Sequence, residues 1–186
     1  AASEPGIGGG GRVGLGGVSF AGGLALVAAG RPSLRDKLSM VVSFGGYGDL
    51  PRVLRFLCTG VLPDGTRKAP HDYGIAVVLL EVAPAMVPAD QVGPLRRGVL
   101  TFLEGSLYDL TDKPRATALF DDARAQASRV PRPAGALLAG VHERAGARLG
   151  PAVLPHVERL AGAGALSPER APAATAPVFL LHGEAD

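Results

Sequence analysis

Val13-Gly14-Leu15-Gly16-Gly17-Val18-Ser19-Phe20-Ala21-Gly22-Gly23-Leu24-Ala25-Leu26-Val27-Ala28-Ala29-Gly30 joins an apolar run to a helix-forming run through a single serine. Arg12 to Val18 reads as a short buried strand, and Phe20 to Ala29 as a helix that starts on small residues. Gly30-Arg31-Pro32 ends that helix with Gly just past it and Pro after it. A turn this tight needs small neighbours two residues either side of the serine, because strand and helix backbones nearly touch there. Gly17 and Ala21 meet that need. Two readings of Ser19 stand on this stretch alone. It is either a nucleophile pushed out at the strand's carboxyl end or a serine capping an ordinary helix.

Working outward, Leu38 to Phe44 (LSMVVSF) is a second buried strand, closed by Gly45-Gly46-Tyr47-Gly48. From Leu50 to about Gly162 the periodicity is helical almost throughout. The spacing predicts helices over 50–59, 71–86, 89–110, 113–129, 134–147 and 150–163. Pro51, Pro114 and Pro151 are expected near helix starts, and Asp90 and Asp112 are candidate caps. A Pro/Ala linker from Ser167 to Ala176 leads to a third buried strand, Pro177 to Leu181, and then to His182-Gly183-Glu184-Ala185-Asp186. Buried strands separated by helices imply a parallel α/β sheet. The block between the second and third strands is too long for one crossover and reads as an inserted helical cap.

Composition narrows the function classes. Of 186 residues, 47% are hydrophobic and 19% charged, which suits a packed core. The net charge of +2 is spread along the chain with no basic stripe, and Trp is absent, so nucleic acid is not an expected partner. No segment reaches the roughly 20 apolar residues of a membrane span. The single Cys58 excludes an internal disulfide and reads as a small buried hydrophobe. No metal-ligand cluster or phosphate-binding Walker loop occurs; Glu143 beside His142 lacks the second histidine of a zinc helix.

An acid just past a strand's carboxyl end, as Asp186 is, sits on the rim where open α/β sheets bind ligands. There it can orient an imidazole and stabilise its charged form. Its alternative is a solvated loop carboxylate. The phrases Val-Ser-Phe-Ala-Gly-Gly-Leu-Ala-Leu and Pro-Val-Phe-Leu-Leu-His-Gly-Glu-Ala-Asp together resemble the α/β-hydrolase family, whose catalytic order is Ser, then Asp or Glu, then His. The usual Gly-x-Ser-x-Gly departs here at Ala21. The resemblance implies a partial α/β-hydrolase fold: a short parallel sheet with flanking helices in 1–49 and 166–186, and a helical cap in 50–165. It implies a serine hydrolase acting on an ester, thioester or similar acyl bond of a small-molecule substrate, without a cofactor. Ser19 is then the nucleophile, the Phe20 N–H an oxyanion donor and Asp186 the acid. The family's early strands would precede Ala1 and its histidine would follow Asp186. The 186 residues are therefore expected to be an internal piece, inactive alone.

None of His71, His142, His156 and His182 follows the acid. The first three lie in or beside cap helices, and His182 is expected to shape its loop. Tyr47 and Asp49 share the Ser19 edge and read as loop structure more readily than as substrate contacts. Phe102, Leu103, Leu107, Leu110 and Phe120 are candidates for an acyl pocket, with core packing the simpler reading. Two competing readings remain. One is a non-catalytic relative that binds through its cap. The other is a Rossmann-type nucleotide-binding unit, suggested by Val13-Gly14-Leu15-Gly16-Gly17-Val18-Ser19 with Ser in the third Gly place, though no acid ends the second strand; the glycine run 6–11 matches Gly-x-Gly-x-x-Gly formally but follows no strand and reads as linker.

Overall fold

A computed structural model describes residues 11–160 and 166–183. Three strands, β1 (Val13–Val18), β2 (Leu38–Phe44) and β3 (Val178–Leu181), form a parallel sheet in the order β1-β2-β3. Helix α1 (Phe20–Ala29) makes the β1-to-β2 crossover. Between β2 and β3 run α2 (Leu50–Thr59), α3 (Asp72–Met86), α4 (Ala89–Tyr108), α5 (Lys113–Arg129), α6 (Ala134–His142) and α7 (Gly146–Leu160). The class is mixed α/β. No helix among the described residues is long and apolar enough to cross a membrane. The chain divides into two compact units, Ala1–Val53 with Ala161–Asp186, and Leu54–Leu160.

In the first unit α1 lays Ala25 and Ala29 against Leu38 and Val41, with Leu15, Ala174 and Ala176 around them. Small residues let the helix lie close to the sheet. Gly30 ends α1 in a right-handed conformation, so it is not there for a left-handed turn. It is there for space, since a Cβ would fall 1.8 Å from the Pro172 carbonyl oxygen of the returning linker. That linker is not featureless. Ser167 is fully buried, and its Oγ accepts the Leu50 N–H at 2.9 Å.

The opposite face of the sheet is apolar and open. Register pairs Val18 with Phe44 and Phe44 with Leu181, and Val42 with Phe179, placing these side chains on one surface. Val18 is 67% exposed, Phe44 53% and Phe179 52%. Parallel sheets are ordinarily covered on both faces. β1 and β3 also present unpaired edges among the described residues.

The second unit has its own core, in which Leu79, Leu95, Val99, Phe102, Leu138 and Val153 are fully or almost fully buried. The Phe102 and Phe120 rings meet at 5.6 Å, tilted by 46°, and Phe120 and Leu103 pack against the buried cluster that holds Phe102, so these three residues serve core packing. Leu107 and Leu110 stand out in solvent, which removes them from any acyl pocket within this core. Cys58 is buried in the same core, and burial pushes its thiol up to about 11.

Most helices fall where the periodicity puts them, and three details differ. The α4 cap position is Pro88, so Asp90 sits in the first turn and favours the helix through the dipole alone. Asp112 does cap α5, accepting the Arg115 N–H at 3.2 Å. The expected helix 134–147 stops at His142, and the next starts at Gly146 rather than residue 150, leaving Pro151 inside α7. The cause is a reversed closure at the α6 end: Arg144 donates to Val141 O at 3.1 Å and Ala145 to Gly140 O at 2.9 Å. This Schellman arrangement needs a left-handed residue, and Arg144 supplies it at φ 52°.

Two outcomes are expected from this packing. The 186-residue chain should bind a hydrophobic dye such as ANS and self-associate as its concentration rises, through the open sheet face. A monodisperse chain that leaves the dye dark contradicts this. The second concerns His142, which packs edge-on against Phe102 at 5.5 Å with a buried, unbonded Nε2. Burial, aided by Arg124, lowers its pKa below 6.5 against the opposing effect of a hydrogen bond that the ring donates to the Ala123 backbone. The unfolded chain therefore takes up the proton first. Stability from neutral His142 is present above about pH 6.5 and lost as pH falls toward the folded value. Denaturant midpoints measured across that window should fall for the native chain and stay flatter for His142→Asn.

Candidate functional site

The carboxyl ends of all three strands meet at one level. Val18, Phe44 and Leu181 are in register across the sheet. The ladder continues one step past each strand: Ser19 N–H donates to Phe44 O at 2.7 Å, and Gly45 N–H to Leu181 O at 2.7 Å. Ser19, Gly45 and His182, each one step past its strand, therefore share one rim of the sheet, the rim where open α/β sheets carry ligands.

Ser19 sits between β1 and α1 at φ 54° and ψ −128°. A left-handed φ at a non-glycine residue costs about 1–3 kcal/mol and persists only where the surroundings impose it. Here the imposition is steric. A Cβ on Gly17 would lie 2.1 Å from the Ala21 carbonyl oxygen, and one on Gly22 would lie 2.7 Å from Ser43 Oγ and 2.9 Å from Gly46 Cα. Strand, helix and the loop after β2 are in backbone contact, and only a sharp bend at Ser19 connects the first two. Ala21 needs to be small, and an alanine is small enough.

The helix-capping reading does not fit this backbone. A capping serine has extended φ and ψ, and its hydroxyl takes an amide of the first turn. Ser19 makes no side-chain capping bond. Its carbonyl, not its hydroxyl, accepts the Gly22 N–H at 2.8 Å. The residue is exposed, and its Oγ has no hydrogen-bond partner among the described residues. Phe20 opens α1, at the position whose amide has no acceptor within the helix. Its ring lies 4.9 Å from that of Tyr47.

The neighbouring loop is held by polar bonds that its residues do not advertise in sequence. Tyr47 is buried and donates its hydroxyl to Leu166 O at 2.9 Å; burial raises its pKa. Asp49 is buried, takes the Arg52 N–H at 2.8 Å at the start of α2 and faces Arg170 at 3.4 Å. Both are loop supports. His182 Nε2 lies 2.7 Å from Gly46 O, so this ring carries its proton on Nε2 and ties the loop after β3 to the loop after β2. Of the other histidines, His71 flanks α3, His142 ends α6, and His156 lies within α7 with Nδ1 2.6 Å from an Arg159 nitrogen. Asp186 and Gly6 to Gly10 lie outside the described residues. Among the described residues no cluster of His, Cys, Asp or Glu could hold a metal ion.

Comparison of the chain with protein-family models, with curated proteins and with solved structures finds no match. The site stands on its own geometry.

The strain at Ser19 has a measurable consequence. Glycine relieves a left-handed backbone but adds about 0.5–1 kcal/mol of unfolded-chain entropy. Ser19→Gly should therefore stabilise the fold, by roughly 1 kcal/mol net in denaturant melts. A loss of stability in that variant would mean that Ser19 is held by its side chain, as a cap would be.

Proposed function

We propose that this chain carries the nucleophile turn of an α/β-hydrolase-type serine hydrolase, acting on an ester, thioester or similar acyl bond of a small molecule. The supporting observation is the backbone of Ser19, bent to φ 54° at a strand-to-helix turn with its hydroxyl exposed and uncommitted. A serine used only to start a helix gains nothing from that strain. A serine that must meet a carbonyl gains an approach clear of the helix. The order β1-β2-β3, with a helical block between β2 and β3, agrees with the resemblance.

In this reading Ser19 Oγ attacks the acyl carbon, and the carbonyl oxygen becomes an oxyanion facing the Phe20 N–H. A histidine accepts the hydroxyl proton and returns it to the departing alcohol or thiol. Water then attacks the acyl-serine by the same route and releases the acid. Asp186 orients the histidine and stabilises its charged form. His182 is bound to Gly46, and the order Ser, acid, His that the resemblance implies puts the reading's histidine beyond Asp186. The hydroxyl and the imidazole suffice for the chemistry, and no cofactor is called for.

Fluorophosphonate labelling tests it. Expressed with its histidine-bearing continuation, the protein should be labelled at Ser19 and lose labelling in Ser19→Ala. The 186 residues alone should react slower by a factor on the order of 10⁴ or more. Labelling that survives Ser19→Ala, or a folded continuation-bearing protein that does not react, removes the proposal.

A further inference from the structure

The loop after β2 rests directly on the first turn of α1, and Gly46 is the point of contact. A Cβ on Gly46 would lie 2.8 Å from the Gly22 carbonyl carbon and 2.8 Å from the Gly23 nitrogen. One on Gly22 would lie 2.9 Å from Gly46 Cα. Gly22 in turn donates its N–H to Ser19 O at 2.8 Å. The path from Gly46 to Gly22 to Ser19 is therefore backbone against backbone, with no flexible side chain in it to absorb a displacement.

Gly46 belongs to a stretch that has little of its own to hold it. Gly45 is left-handed at φ 59°, and two successive glycines bring no side chain to pack. The residues on either side are tied elsewhere. Gly45 N–H continues the ladder onto Leu181 O at 2.7 Å. Tyr47 is fixed by its hydroxyl on Leu166 O at 2.9 Å, and by its ring, which a Cβ on Gly23 would approach to 2.6 Å. The Gly46 carbonyl is taken by His182, whose Nε2 lies 2.7 Å from it. A side chain one step past β3 thus sets where Gly46 sits against α1.

We propose that His182 is a positioning residue for the Ser19 turn: by holding the Gly46 carbonyl it fixes the seat of the first turn of α1, and with it the Ser19 bend and the Phe20 N–H. The chemical consequence rests on the hydrolase reading, in which that N–H faces an oxyanion. A donor or nucleophile displaced by about 1 Å costs on the order of 10²-fold in rate. His182 also lies four residues before Asp186 in the sequence, so the same bond anchors the chain where it sets out toward the acid.

Hydrogen exchange of the dilute 186-residue chain tests the hold itself. His182→Ala should speed exchange of the Gly22 amide about tenfold or more and leave the α4 amides at the native rate. His182→Gln, whose side-chain amide can replace the Nε2 donor, should exchange close to the native rate. Turnover of an activated ester by the protein with its histidine-bearing continuation tests the consequence. There His182→Ala should lower kcat about tenfold or more with KM unchanged, and His182→Gln should restore most of it. A native protein that is not labelled at Ser19 removes the hydrolase reading alone, and exchange then decides whether His182 holds the turn. The proposal falls if Gly22 in His182→Ala exchanges at the native rate, if the α4 amides quicken equally, if kcat is unchanged in an active enzyme, or if His182→Gln behaves as His182→Ala does.

Discussion

The contact between the β1 backbone and the first turn of α1 governs the rest of the sheet unit. With 2.1 Å between a notional Gly17 Cβ and the Ala21 carbonyl oxygen, the chain cannot pass from strand to helix by a relaxed route. The strain collects at Ser19, the residue of the bend with a positive φ. Gly22 carries the same closeness to the loop after β2, where Ser43 and Gly46 approach it. A substitution that opens this contact lets Ser19 relax and withdraws its hydroxyl from the rim.

The rim itself depends on parallel register. β2 lies between β1 and β3, and the ladder extends beyond both pairs of strand ends. Polar bonds then clamp the emerging loops. Tyr47 reaches Leu166, Ser167 takes the Leu50 amide, Arg170 faces Asp49 and His182 meets Gly46. Each joins the loop after β2 to the segment entering or leaving β3. Buried polar atoms that find such partners fix one arrangement, because any other leaves them unpaired in an apolar setting. A sheet with one open apolar face gains its order from these clamps and from the small-residue packing of α1.

The residues differ in how readable they were. Gly17, Ser19 and Ala21 announce themselves because the steric demand of the bend falls on adjacent positions. The buried strands and the cap at Asp112 are local patterns too. Arg144 was not readable: Glu143-Arg144-Ala145-Gly146 has the composition of a continuing helix, and the break comes from how α6 and α7 pack. Gly30 was legible as the glycine just past a helix, whereas its reason is a linker more than 140 residues away. The roles of Tyr47, Asp49 and Ser167 likewise depend on partners distant in sequence. Asp186 was legible as an acid just past a strand.

A crystal structure of the protein, with the histidine-bearing continuation that the proposed function calls for and with Ser19 carrying a phosphonate, tests the pairing of Ser19 with Asp186 most directly. The account expects Ser19 to keep a positive φ, the phosphonyl oxygen to lie about 2.7–3.1 Å from the Phe20 nitrogen, and the Asp186 carboxylate to stand on the same rim. An extended Ser19 whose hydroxyl bonds to a first-turn amide of α1, or an Asp186 directed away from that rim, would contradict it.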